Sequence, residues 1–169
     1  AQEKALPPAD LAALRDEVYD YVIERLRAYY VEGGAGLAVT SEMFDAVLAT
    51  RPSSPLDFDA RLRALVEFLQ LPAATSLAAA NKRIANLLKK VTEPVAESFD
   101  EERLVDPAEQ VLATQVNAIA REVEPKFAAR DYTSALRQLA ALRQAVDAFF
   151  DSVMVMADDP GLRSNRLAL

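Results

Sequence analysis

Cysteine, histidine and tryptophan are absent from all 169 positions, and glycine occurs only four times. Without cysteine there is no disulfide framework, and without cysteine and histidine the usual ligand sets for zinc, haem and iron–sulfur clusters are excluded. Only a hard-cation site built from carboxylates stays open, and no metal or cofactor is expected in this chain. No stretch approaches the roughly 18 consecutive apolar residues of a membrane-spanning helix. The opening Ala1–Pro8 lacks the basic start and apolar core of a signal peptide. The chain therefore reads as cytoplasmic, with no membrane partner. There is also no Gly-rich phosphate loop, nucleophile elbow or metal-ligand cluster, so no catalytic residue is expected. Because alanine and leucine dominate while glycine is scarce and β-branched residues are scattered, the fold class is expected to be all-α, one helical domain over 1–169. The start at Ala1 rather than Met, and the end at Leu169 inside the apolar pattern Leu162, Leu167, Leu169, are read as marks of a piece of a longer protein.

Charge is what the sequence distributes unevenly. The net charge is −7, yet residues 68–92 carry four bases, Lys82, Arg83, Lys89 and Lys90, and no acid. A local basic face on an acidic chain points to a polyanionic partner held on one side only. Residues 1–90 hold 11 bases and 12 acids and residues 91–169 hold 8 and 14, which places an anion-binding face mainly in the first half.

Hydrophobic spacing predicts the helices. Asp10 caps a first helix whose buried stripe is Leu11, Leu14, Val18, Val22, Leu26 and Tyr29, ending near Glu32 before Gly33 and Gly34. Thr40 or Ser41 caps a second through Met43, Phe44, Val47 and Leu48, stopped by Arg51-Pro52-Ser53-Ser54-Pro55. A third begins at Asp57 or Asp59 and turns Leu62, Leu65, Val66 and Leu69 inward. A fourth runs from Ala73 to Lys90 with Leu77, Ile84, Leu87 and Leu88 buried. An acidic connector follows, and residues 91–105 are where two helical halves can hinge. Asp106-Pro107-Ala108-Glu109 is a cap, an N1 proline and a returning acid. The helix it opens carries Val111, Leu112, Val116, Ile119 and Val123, and Pro125 ends or kinks it. Asp131 caps the next, running to Met156, and Asp158 or Asp159 with Pro160 opens the last.

On the fourth helix Arg83, Asn86 and Lys90 stand at i, i+3 and i+7, flanked by Asn81, Lys82 and Lys89. Arg and Asn supply directed donors for base edges, and Lys a mobile charge for phosphate. Tyr29 and Tyr30, beside Arg25 and Arg27, can stack on unpaired bases, one of the two being core. Arg51, Arg61 and Arg63 extend the patch, unless Arg61 and Arg63 pair with Asp57 or Asp59. The opposing reading of the basic segment is an ordinary solvated helix face. Asp57-Phe58-Asp59 permits a catalytic carboxylate pair, but helix capping is the preferred reading. Met154 and Met156, with Phe149 and Phe150, read as adaptable core packing, and Arg163 and Arg166 as closing the bundle, with phosphate contact as the other possibility.

Four ordered segments carry a family likeness: Tyr21–Tyr30, Arg51–Leu65, Ala79–Asn86 and Val146–Met156. They resemble the carboxyl-terminal region of the bacterial glycyl-tRNA synthetase β-subunit family. The closing Asp159–Leu169 resembles the end of the DALR-type anticodon-binding domain, also found in arginyl-tRNA synthetases and so in class I synthetase-like architecture. The resemblance implies a helical module gripping the anticodon arm of glycine tRNA, not DNA. It also implies an α2β2 class II ligase whose ATP, Mg and glycine site lies on the α subunit, so that the partners are tRNA, the α subunit and the rest of β. A domain that docks subunits without touching RNA is the alternative, and a hydrolase using Asp57 and Asp59 a distant third.

Overall fold

Ser54 and Pro55 show how locally the helices are set. The Ser54 hydroxyl accepts the Asp57 N–H at 3.2 Å, so the helix starts at Pro55 and neither Asp57 nor Asp59 caps it. Serine at the cap followed by proline at the first helical position is the stronger signal. The computed structural model describes residues 8–92 and 94–169, which divide into two compact units, residues 1–66 and 67–169. Among the described residues there are eight α-helices, two 3₁₀ turns and no strand, as an all-α chain requires. The 91–105 connector lies inside the second unit.

The first unit contains α1 (Pro8–Val31), α2 (Ser41–Ala49) and most of α3 (Pro55–Leu69). Its core is aromatic: the Phe44 and Phe58 rings are 4.7 Å apart, and Tyr30 packs on both at 6.4 and 6.0 Å. Ile23, Val39, Val47 and Leu62 complete it. The face of α1 differs from the expected stripe. Leu11, Leu14, Val18 and Tyr29 are exposed, while Ile23 and Tyr30 are buried with Tyr19 and Leu26 partly so. Both sets have helical spacing, and the ring cluster selects the second because Tyr30 must meet Phe44 and Phe58. Asp10 lies in the first turn rather than capping it, since the helix already begins at Pro8. Thr40 caps α2 by accepting the Met43 N–H at 3.3 Å.

The second unit holds the end of α3, then α4 (Ala74–Leu88), α5 (Pro107–Ala128), α6 (Tyr132–Leu139), α7 (Arg143–Ser152) and α8 (Pro160–Ala168). α5 packs on α6 and α7, and α4 on α7, around Leu112, Ala145, Phe149, Val153 and Val155. The Asp106–Glu109 capping box forms as expected. Pro125 does not stop α5, because a proline near the end costs one ladder bond of a helix that closes three residues later. That closure is a Schellman turn: Asp131 N–H bonds Lys126 O at 2.8 Å and Arg130 N–H bonds Phe127 O at 3.0 Å, with Arg130 at φ 60°.

The expected helix from Asp131 to Met156 is broken. A 3₁₀ turn at Ala140–Leu142 separates α6 from α7, and after Ser152 the chain is no longer helical. Over 153–157, Val153, Val155 and Ala157 are buried while Met154 and Met156 are exposed, the period-two alternation of extended chain. The two methionines are therefore surface, not core packing. Ile84 and Leu88 of α4 are also exposed, against expectation. α4 buries its small residues Ala74 and Ala80, and the larger side chains line an open apolar groove of about 320 Å³.

α8 is tied down by polar contacts. Fully buried Glu109 pairs with Arg166 through Oε1 while its Oε2 accepts the Asp106 N–H at 2.8 Å. Arg166 also donates to Met154 O at 3.0 Å, and Arg163 to Ala157 O at 2.9 Å. The Asn165 amide exchanges two bonds with the Asp100 backbone, at 2.6 and 3.0 Å. Both arginines thus close the bundle, as their spacing suggested.

Candidate nucleic-acid interface

α4 has no acid in its sequence, and its C-terminal half is held by one side only. Near its start Ser76 donates to Asp147 at 2.7 Å. Further along, the Arg83 guanidinium lies over the Phe150 ring at 4.3 Å and reaches Phe150 O at 3.5 Å. A stacked guanidinium is held in place while its outer edge faces solvent. Asn81, Lys82, Arg83, Asn86, Lys89 and Lys90 are all exposed. Lys82, Arg83, Asn86 and Lys90 line one shallow groove with Ala79 and Leu87, the juxtaposition that their spacing predicts. Asn81 lies outside that groove. Among the described residues, none of the four bases is ion-paired, so their charge is not neutralised by a neighbouring carboxylate.

The other candidates belong to the first unit, where the arginines have carboxylate or ring neighbours. Arg27 pairs with Asp45 and sits over Phe44 at 4.7 Å. Arg61 Nε donates to Asp57 at 3.2 Å and Arg63 Nε to Asp59 at 2.7 Å, the i, i+4 pairing weighed as an alternative in the sequence. Tyr30 is core, its hydroxyl donating to Asp59 at 2.7 Å. Arg63 holds the Asp59 carboxyl below its ordinary value, and Tyr30 adds to this; burial and then Asp59 push the Tyr30 phenol up. A carboxylate held ionised in this way is a poor general acid, and Asp57 is buried against Arg61. Capping, the preferred sequence reading of this pair, is replaced by ion pairing, because Ser54 already fills the cap. Tyr29 is the exposed member of its pair, its ring edge-on to Tyr30 at 5.3 Å. Arg25 lies over the Tyr21 ring at 5.3 Å. Arg51 is exposed, with its backbone at φ 46° just before Pro52.

Sequence reasoning missed one arrangement. Lys90 also lines a second cavity, of about 200 Å³, with Thr92, Met156, Arg163 and Ser164. Only the non-helical turn after Ser152 brings these segments together, and nothing in the local spacing announces it.

An all-helical chain with an unpaired, acid-free cationic helix face is the class that this geometry defines. Residues 77–169 match the family described as the DALR anticodon binding domain, and the chain belongs to that family. The match begins within α4 and falls in the second unit. Over 154 residues the chain is 54% identical to the glycine–tRNA ligase beta subunit of Tolumonas auensis, covering 91% of this chain and 22% of that protein. The beta subunits of Aeromonas hydrophila and Pseudomonas aeruginosa are 52% and 49% identical over 90% and 94% of this chain, again 22% of each relative. The chain thus spans about a fifth of the length of the curated relatives it matches. No helix among the described residues is long and apolar enough to cross a membrane, and no cluster of metal-ligating side chains occurs among them.

Proposed function

We propose that this chain binds the anticodon arm of glycine tRNA, as the RNA-gripping part of a glycine–tRNA ligase β subunit. The observation that carries this reading is the exposed, unpaired basic face of α4, within the segment that matches the anticodon-binding family. Lys82, Lys89 and Lys90 contact phosphates, and Arg83 and Asn86 present directed donors to unpaired bases. Glycine codons are GGN, so the anticodons share two cytosines, whose acceptor edges suit those donors. Tyr29, with Arg25, Arg27, Arg51, Arg61 and Arg63 nearby in sequence, offers a further stacking and phosphate surface on the first unit. The chain itself holds no catalytic residue, metal or cofactor; ATP and Mg act on the α subunit of a class II enzyme in the cytoplasm. The names of the relatives support the ligase assignment.

The test is binding of glycine tRNA across a salt series. Replacing the two shared cytosines weakens binding. Changing Lys82→Ala with Arg83→Ala also weakens it and flattens the plot of log affinity against log salt by about 1.4–1.8, for two lost phosphate contacts. An unchanged slope and affinity in the double variant refute this assignment of the face. A second reading has its own observation: Leu11, Leu14 and Val18 leave one side of α1 apolar and exposed, a surface suited to docking the rest of the β subunit. Tight assembly with negligible RNA affinity at low salt would favour it.

A further inference from the structure

We infer that the cavity between the end of α4 and α8 is a subsite for one unstacked pyrimidine nucleotide of the bound RNA loop. This inference rests on the reading of the α4 face given above. Pro160, Arg163, Ser164 and Leu167 stand at i, i+3, i+4 and i+7 and form a single wall of α8. Lys90 and Thr92 form part of the facing wall, and Met156 also borders the cavity. The polar and apolar groups there match the two parts of a nucleotide. Lys90 supplies a mobile charge for phosphate. Arg163 is fixed by its bond to Ala157 O at 2.9 Å, so its remaining donors are held in place rather than free to swing. The hydroxyls of Thr92 and Ser164 can donate or accept at a base edge. Leu167, Pro160 and the Met156 thioether give the ring faces an apolar and polarisable contact.

Size narrows the occupant. At about 200 Å³ the cavity falls below the roughly 300–1,000 Å³ of pockets that enclose whole cofactors or drug-sized ligands, and it suits the smaller class of base. A bare phosphate would leave the apolar wall unused. Among the described residues no carboxylate lines the cavity. Lys90 borders both this cavity and the shallow groove along α4, so a strand whose phosphates follow that groove arrives at the cavity without leaving the basic surface. RNA loops present extruded bases to such sites, whereas paired RNA does not.

A panel of stem-loops with the glycine anticodon tests this, each unpaired loop nucleotide being replaced in turn by an abasic residue. Affinities are measured by fluorescence anisotropy for the intact protein and for Ser164→Phe, which fills the cavity and leaves every charge in place. In the wild type, one pyrimidine position loses about tenfold on becoming abasic, as losing one seated base does. In Ser164→Phe the unmodified stem-loop is weakened by about the same factor. That one abasic penalty then disappears while the penalties at other positions persist. If Ser164→Phe lowers the melting temperature, the same cycle run with Thr92→Phe fills the cavity from the opposite wall. Wild-type affinity in the filled variants, or reduced affinity with every abasic penalty intact, overturns the subsite. In either case, salt-sensitive loss in the Lys82→Ala, Arg83→Ala variant leaves the α4 reading standing. If that double variant also binds normally, the α4 reading itself falls.

Discussion

Replacing Arg166 with methionine tests how α8 is held to the rest of the second unit. Glu109 is fully buried, and the Arg166 side chain is only 10% exposed. In Arg166→Met the carboxylate keeps its bond from the Asp106 N–H but loses its counter-charge, and the Met154 carbonyl loses its donor. Stranding one partner of a buried pair costs about 3–5 kcal/mol, a large share of the roughly 5–15 kcal/mol that holds a domain together. Glu109→Leu strands the guanidinium instead and also removes half of the capping box, so it is expected to be comparably destabilising. The double variant Glu109→Leu, Arg166→Met carries no unpaired charge, and replacing a buried pair by apolar groups is often near neutral. It should lie within about 1–2 kcal/mol of the native protein, the remainder reflecting the unmade bond to Asp106. Urea unfolding followed by far-ultraviolet circular dichroism, with the denaturant slope checked for constancy, measures all four proteins. A loss below about 1 kcal/mol in Arg166→Met, or a double variant whose loss equals the sum of the singles, would refute the argument that the pair is coupled and desolvated.

Acid and alkali act on the first unit in opposite senses. Arg63, and then Tyr30, hold the Asp59 carboxyl low. Its stabilisation is therefore present above the ordinary carboxylate value of about 4 and is lost as pH falls through the folded value, a loss that Asp59→Asn should flatten in acid-unfolding curves. Burial, then Asp59, raises the Tyr30 phenol, so that contribution is full below the ordinary tyrosine value of about 10 and declines as pH rises. Ultraviolet titration should show one of the five tyrosines ionising only as the unit unfolds, and Tyr30→Phe should abolish that step. Asp106→Ala removes the acceptor of the Ala108 N–H and should cost about 0.5–2 kcal/mol by thermal melting. On α1, Ile23→Ala should cost about 2–5 kcal/mol, whereas Leu14→Gln, on the exposed side, should change stability by no more than about 0.5 kcal/mol.

Those last two substitutions mark where reading the sequence succeeded and where it did not. Signals confined to a few neighbouring residues were legible: the Asp106 capping box, the caps at Thr40, Asp131 and Asp159, the pairs Asp57–Arg61 and Asp59–Arg63, and the α4 face. Choices that depend on distant partners were not. α1 carries two stripes of valid period, and only Phe44 and Phe58 decide between them. The segment 153–157 looks helical in composition, but its alternate burial beside α5 and α7 makes it extended. The pairing of Glu109 with Arg166 spans 57 residues, so the cavity beside Lys90 stayed hidden with it, since its far wall exists only once α8 has docked.

The contacts of α8 also set an order of events. Asp100 meets Asn165 across 65 positions and Glu109 meets Arg166 across 57, whereas the α5–α6 contact is made between consecutive helices. Closing a long loop must be paid in chain entropy before its contacts return anything, so the α5–α6 hairpin assembles early and α8 seals the unit late. Substitutions at Asn165 and Arg166 therefore accelerate unfolding far more than they slow refolding, and the unit's lifetime, rather than its speed of formation, is what this last helix governs.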